Sequence, residues 1–475
     1  MINKSTAKSF VLVVISNLVK LVSSFASIFI LPLIFTKQDY GFYKLFILYV
    51  SYIGLFHFGF IDGIYLKFGG KDLEELPKGN FRVYSKFMFV FQLIVSMIGI
   101  CLSFFMNGDR QQIFMLVSLN LFAQNLTSYF QFISQITSRF KEFAIRNVIY
   151  TVLNLGVILS FYIFGVSEYI IFLAITVLVN YILLCWYLYT YRDLVFGERS
   201  DLNNKSDLIG LFKLGIPLLI SNLVVTFMNT LPRQFVELMY PVEQFENEFS
   251  NFSFAFTLMG FTSVFLTAIG LVIYPILKKS TKETLRENYK KLQRFLSVFL
   301  FIAFAAYFPL DYIVQRFIPH YIESIRIFLI MVPSIVFTSL VTVINHNYFK
   351  TLNYNKQFLI VGLIGIIELV GIISFSYFNL SRSLLSISWS TLVGIVIWYL
   401  MSEIYLSKRL NVNNFKNIAY LFISSLIFYA IALNFNWISG LFLYITVIVS
   451  FSILYFLKDF KQLISVVCKR LKKNE

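Results

Sequence analysis

Charge is scarce in this chain. Of 475 residues only 13% are Asp, Glu, Lys or Arg, and 58% are hydrophobic. A soluble protein of this length could not hide so much apolar surface. Histidine and cysteine are scarcer still. The three histidines, His57, His320 and His346, are far apart, and so are Cys101, Cys185 and Cys468. That spacing excludes a disulfide framework and a sequence-local metal site. No Gly-rich phosphate loop, HExxH or GxSxG is present, so the sequence points away from an enzyme and offers no cofactor site. Acidic residues are also under-represented, 24 against 40 Lys and Arg, for a net charge of +16.

Long apolar runs are present instead, with a mean hydropathy of +0.76. Runs of 18 or more apolar residues cross a hydrocarbon core of about 30 Å as helices. The sequence therefore predicts an all-α polytopic membrane protein with about 14 transmembrane helices. The predicted spans 1 to 14 lie at 9–35, 42–66, 84–106, 112–136, 146–165, 168–190, 213–237, 252–277, 294–310, 324–347, 357–378, 384–405, 417–434 and 440–457. The basic N-terminus, MINKSTAKSF, precedes a run too long for a signal-peptide core, which reads as the first permanent span.

The positive charge is distributed by topology. With an even span count, one set of loops holds the N-terminus, 67–86, 137–146, 191–213, 278–294, 349–356, 407–416 and the tail, and carries about 32 of the 40 Lys and Arg. The opposite set carries about six, among them Lys44 and Arg110, and Lys20 and Arg233 fall within spans. Loops enriched in Lys and Arg are cytoplasmic, so both termini are expected there. The net charge needs no nucleic acid to explain it. The tail KDFKQLISVVCKRLKK (458–473) reads either as an interfacial helix on anionic lipid or as a plain basic flank.

The pentapeptide ISNLV occurs at 15–19 and again at 220–224. Weaker echoes keep a similar offset and order: DYGFY with EFSNF, GIYL with VIYP, RFKEF with YFKTL. Together they predict duplication of a six-helix unit. An even unit keeps its orientation, so two lobes would be related by a pseudo-two-fold along the membrane normal. The expected organisation is an N-lobe (1–190), a linker (191–212), a C-lobe (213–406), and spans 13 and 14 with the tail (407–475).

Polar residues form helical stripes at +3 and +4 spacing. Span 1 carries Asn17, Lys20, Ser24 and Ser27. Span 7 carries Asn222, Thr226, Asn229, Arg233 and Glu237, and span 4 carries Asn120, Gln124, Thr127, Gln131 and Gln135. Such faces meet protein or water rather than lipid. The small polar side chains could equally serve as hydrogen-bonding glue between helices. Lys20, at a cost of about 2.5–3.5 kcal/mol in mid-membrane, is the first functional candidate. Arg233 is the second, with Glu237 one turn on as an expected partner. Glu368, deep in span 11, is either a counter-ion or a site for H⁺ or Na⁺. Asp62 and Glu403 are expected near the cytoplasmic boundary, with Asp62 and Glu237 as further ion-coupling candidates.

Five segments, taken in order, carry a family resemblance: LPLIFTKQDYGFYKLF (31–46), FGFIDGIYLKFGG (58–70), FKLGIPLLISNL (212–223), LVIYPILKK (271–279) and FIPHYIES (317–324). With fourteen spans in two six-helix lobes, the whole chain resembles a Wzx-type polysaccharide (O-antigen) flippase of the multidrug/oligosaccharidyl-lipid/polysaccharide exporter superfamily. The resemblance implies transport of an undecaprenyl-diphosphate-linked oligosaccharide from inner to outer leaflet of the bacterial plasma membrane. The expected mode is alternating access, with membrane lipids and other polysaccharide-assembly proteins as partners and a monomer as the simplest state. It implies that Lys20 and Arg233 meet the diphosphate, with Asn17, Asn222 and Gln124 near the sugars. Relatives carry an acidic residue before the span-7 Arg, where this chain has Pro232. Two transporter alternatives are a lipid II flippase and a drug/cation antiporter of the same superfamily. A membrane glycosyltransferase would need larger outer loops than 238–251 and 311–323.

Overall fold

Long apolar runs become helices because, in lipid, each backbone N–H and C=O must be bonded within its own segment. The computed structural model describes residues 19–198, 204–240, 247–260, 273, 277–278 and 280–457, and no strand occurs among them. The helices are α1 (Val19–Ile34), α2 (Lys37–Val50), α3 (Phe60–Phe68), α4 (Lys78–Ser103), α5 (Gly108–Ile136), α6 (Phe140–Phe164), α7 (Tyr169–Thr190), α8 (Asn204–Met239) and α9 (Glu248–Gly260). They continue as α10 (Lys282–Phe317), α11 (Pro319–Met331), α12 (Ser334–Thr351), α13 (Asn355–Asn379), α14 (Leu384–Leu410), α15 (Phe415–Asn434) and α16 (Trp437–Tyr455).

Among the described residues ten helices are long and apolar enough to cross a membrane, and two bent pairs bring the number to 12. These coincide with twelve of the fourteen predicted spans. The other two, spans 1 and 8, lie partly outside the described residues, as does the tail at 458–473. Two boundaries differ from expectation. Span 9 begins not at 294 but at Lys282, because the amphipathic stretch KETLRENYKKLQRF extends the helix beyond its apolar half. Span 7 begins at Asn204 rather than 213. Its first turn is docked, with Asp207 accepting from Lys67 and from the Tyr84 hydroxyl.

By internal packing the chain divides into two compact units. One is Met1–Ala268 with Asn355–Gly371, and the other is Ile269–Tyr354 with Ile372–Glu475.

The first unit is built around the bend between α2 and α3, which meet at 59°. A bend in a membrane helix frees carbonyls that must find donors. Here Gln92 Nε2 donates to the Phe56 carbonyl at 3.1 Å, and Asn125 Nδ2 donates to the Ile53 carbonyl at 3.2 Å and to Gln92 Oε1 at 2.8 Å. Asn125→Ala should therefore lower stability by about 1–2 kcal/mol. Gln92→Leu should cost about the same, and the double variant less than the sum, because both belong to one chain of bonds. Thermal unfolding of the four proteins in detergent checks this, and strict additivity would refute it.

After the bend, Phe58 (φ 48°) and Gly59 (φ 81°) turn the chain into α3. α3 then packs against α8 closely enough that glycine is required. A Cβ at Gly59 would sit 2.7 Å from Gly215 C and Ile216 N, one at Gly63 would meet the Leu211 backbone, and one at Gly215 would meet Gly59 O and Gly63 N. Small residues four apart are a standard way for membrane helices to approach. The surrounding core draws on α3, α4, α5 and α7, with Phe60, Tyr84, Tyr129 and Tyr187 buried.

The second unit carries a buried polar knot. Glu403 of α14 is fully buried. Its carboxylate accepts from Tyr289 (2.7 Å), Gln293, Asn414 (2.7 Å) and Ser407 (2.6 Å). A π-helical turn, Leu340–Asn345, brings Asn345 Oδ1 to the same Tyr289 and Gln293, each at 3.1 Å. This network ties α10, α12 and α14 to the start of α15.

Candidate functional site

The cations of the first unit outnumber their partners. α2 begins at Lys37 because Thr36 caps it, its hydroxyl accepting from Asp39 N at 3.1 Å. That start places Lys44 on the second turn, inside the helix. The charge distribution groups Lys44 with the outer loops, but it is only 5% exposed. Its ammonium lies 5.0 Å from the Tyr40 ring centre and 4.8 Å from that of Tyr43. Among the described residues no carboxylate pairs with it.

Arg233 of α8 lies within electrostatic reach of Lys44. Its guanidinium is 5.5 Å from the Phe256 ring centre on α9, and its Nε is buried without a hydrogen-bond partner. The expected partner, Glu237, is taken. Glu237 is 2% exposed and pairs with Arg110 of α5 at 2.9 Å. Tyr49 and Gln234 donate to it at 3.3 and 2.7 Å. Arg110, another residue assigned to an outer loop, thus satisfies the carboxylate one turn from Arg233. Glu237 is a counter-ion already matched, and the local excess of positive charge sits on Lys44 and Arg233.

The remaining sequence candidates fall in several places. Lys20 is exposed on α1, where its carbonyl accepts from Ser24 at 2.9 Å, and no described contact joins it to Arg233. Asn17 lies outside the described residues. Asn222 is exposed on α8 and its carbonyl accepts from Thr226 at 3.3 Å. Gln124 accepts from Asn120 of its own helix at 3.1 Å, and Asn120 in turn accepts from Asn180 of α7 at 2.9 Å. Asp62 is buried in the first turn of α3, with His57 Nδ1 at 3.8 Å from an otherwise unpartnered Oδ2. Glu368 on α13 has both carboxylate oxygens buried without a partner. It lies one helical stretch beyond Gly362, whose missing side chain makes room for Val224 of α8. No cluster of three or more His, Cys, Asp or Glu suited to a metal occurs among the described residues.

An ammonium and a guanidinium with no carboxylate partner among the described residues, in a low-dielectric surround, attract a multivalent anion, and the guanidinium fork suits phosphate oxygens. The Tyr rings around Lys44 screen its charge without neutralising it.

No family model matches the chain, and neither does any curated protein. Solved structures do. The lipid II flippase MurJ in an inward closed conformation is similar at a TM-score of 0.61 and 12% identity, covering 96% of this chain and 100% of that one. An inward-facing multidrug resistance MATE family transporter of the MOP superfamily is similar at 0.57 and 14% identity, over 85% of this chain and 94% of that one. An outward-facing MATE transporter of that superfamily is similar at 0.58 and 13% identity, over 85% and 96%. The chain therefore has the fold that these transporters share.

Proposed function

We propose that this protein is a flippase for a lipid-linked oligosaccharide. It carries an undecaprenyl-diphosphate-linked glycan from the inner to the outer leaflet of the bacterial plasma membrane, for surface polysaccharide assembly, by alternating access. The observation that carries this reading is the pair Lys44 and Arg233, neither of which is ion-paired among the described residues, beside a Glu237 already matched by Arg110. A diphosphate supplies the missing negative charge. Lys20 is a third cation on the path, and Asn17, Asn222 and Gln124 offer hydrogen bonds to sugar hydroxyls. Both termini are cytoplasmic by the distribution of Lys and Arg. The linker and the two six-helix lobes provide the moving parts.

Ion coupling, if used, belongs to Glu368, whose carboxylate has no partner, ahead of Asp62 beside His57. Glu237 is a weaker candidate because its charge is matched. A lipid II flippase is the second reading, favoured by the end-to-end likeness to MurJ and by an equally anionic head group. A drug/cation antiporter would need unpaired carboxylates where this chain has unpaired cations.

The test uses purified protein in vesicles and follows outer-leaflet appearance of a short diphosphate-linked glycolipid. Lys20→Ala should insert normally and lose most transport, and Lys20→Arg should keep part of it. Full transport by a normally inserted Lys20→Ala would remove Lys20 from the path.

A further inference from the structure

A second basic site lies in the first unit, away from Lys44 and Arg233 in sequence and on different helices. The start of α6 and the end of α7 enclose an open pocket of about 390 Å³, lined by Arg139, Lys141, Glu142, Ile145, Arg146 and Trp186. Three cations face one carboxylate. Glu142 is shared between Arg139, at 3.2 Å, and Arg146. Lys141 is exposed and makes no ion pair among the described residues.

Arg146 is the unusual member. It is 2% exposed, yet it lines the pocket. One Nη bonds Glu142 and the other donates to Thr190 at 2.7 Å, while its plane lies over Tyr187 (4.2 Å) and Trp186 (5.2 Å). Its Nε is buried without a partner. Arg146 is thereby fixed as a buried positive charge that holds Glu142, and the exposed Arg139 and Lys141 are the donors that can reach an oxyanion.

The surface that leads away from the pocket is apolar. Ile145, Ile149, Val152, Leu159 and Ile163 of α6 are all exposed and share one face by their +4, +3, +7, +4 spacing. Phosphate chemistry at one end and a hydrocarbon track along the helix describe one amphipathic ligand. The loops at this end, 137–146 and 191–213, belong to the Lys- and Arg-rich set. Basic pockets between helices on the cytoplasmic side suit anionic head groups.

We infer that this pocket binds the phosphate of a resident anionic phospholipid of the phosphatidylglycerol type, with an acyl chain along α6. This inference is independent of the transported cargo.

The test is native mass spectrometry of the full chain released from detergent. Phosphatidylglycerol, phosphatidylcholine, inorganic phosphate and a short isoprenyl diphosphate are each titrated. The account expects one retained phosphatidylglycerol with at least about 10-fold preference over phosphatidylcholine. That preference should fall to near unity in Arg139→Gln/Lys141→Gln, whose side chains are exposed and outside the core, and return in Arg139→Lys/Lys141→Arg. The inference is overturned by equal retention of phosphatidylcholine or by an unchanged preference in the Gln double variant. It is also overturned if inorganic phosphate displaces the lipid, which identifies a free-phosphate site, or if the isoprenyl diphosphate binds in preference, which identifies a cargo site.

Discussion

Arg233→Ala and Lys44→Ala are each expected to slow glycolipid flipping by about 10- to 100-fold, and the double variant should fall to background. The magnitude follows from losing one charge-assisted bond to phosphate, worth about 1.5–3 kcal/mol. Insertion should be unaffected, because neither residue is the partner of a buried carboxylate. Removing an unmatched buried cation relieves a desolvation cost, so both variants should be at least as stable as wild type. That combination separates a binding role from a structural one. Arg110→Ala is the control with the opposite signature: it strips Glu237 of its 2.9 Å ion-pair partner and leaves a buried carboxylate with only the neutral donors Tyr49 and Gln234, at a cost of about 3–5 kcal/mol in stability. If Lys44→Ala and Arg233→Ala flip at wild-type rates, the anion site is elsewhere. Rate in vesicles and thermal unfolding in detergent, measured on the same preparations, give both readouts.

The second large effect is expected at the contact between α3 and α8. Gly63→Ala and Gly215→Ala each drive a Cβ into backbone atoms, which cannot rotate aside as a side chain can. Overpacking of this kind costs about 1–3 kcal/mol, and contact with backbone places these variants at or above the top of that range. Both should show a lowered unfolding temperature and a loss of monodisperse protein. Gly156→Ala on α6 is the matched comparison. Nothing lies within 4 Å of its added methyl, and the gain in helix propensity is about 1 kcal/mol. Equal stability of all three variants would show that α3 and α8 are not held by this approach.

Span existence was legible because hydrocarbon thickness sets the length of apolar run needed, and that rule does not depend on tertiary detail. The break in span 2 was not. YIGLFHFGF is apolar apart from His57, so hydropathy passes over it, and what stabilises the bend are Gln92 and Asn125 on other helices. Two local signals did exist. Thr36-Lys37-Gln38-Asp39 is a helix-start pattern that places Lys44 inside α2 rather than before it. Gly59 and Gly63, four apart, mark the close helix approach.

At the candidate site, the sequence singled out Arg233 correctly as a residue within a span, because a charge in an apolar run is visible without a structure. Its freedom from Glu237 was invisible. The i, i+4 spacing favoured a pair, and the competitor, Arg110, comes from a helix far away along the chain. Lys44 was hidden for the same reason that it is interesting. Its partners are the Tyr40 and Tyr43 rings, which read as ordinary membrane aromatics. Glu403 shows the converse: its nearness to a predicted span end suggested solvent, and only the arrival of Tyr289, Gln293, Asn414 and Ser407 buries it.

The measurement that bears most directly on an anionic lipid-linked cargo is flipping by the wild-type protein in sealed vesicles, with and without an inside-negative potential. Each negative charge moved outward across the whole field gains about 2.3 kcal/mol per 100 mV. The account predicts that the diphosphate-linked glycolipid reaches the outer leaflet, faster when the interior is negative, and that a cationic dye is not carried. Transport of the dye with no movement of the glycolipid would contradict it.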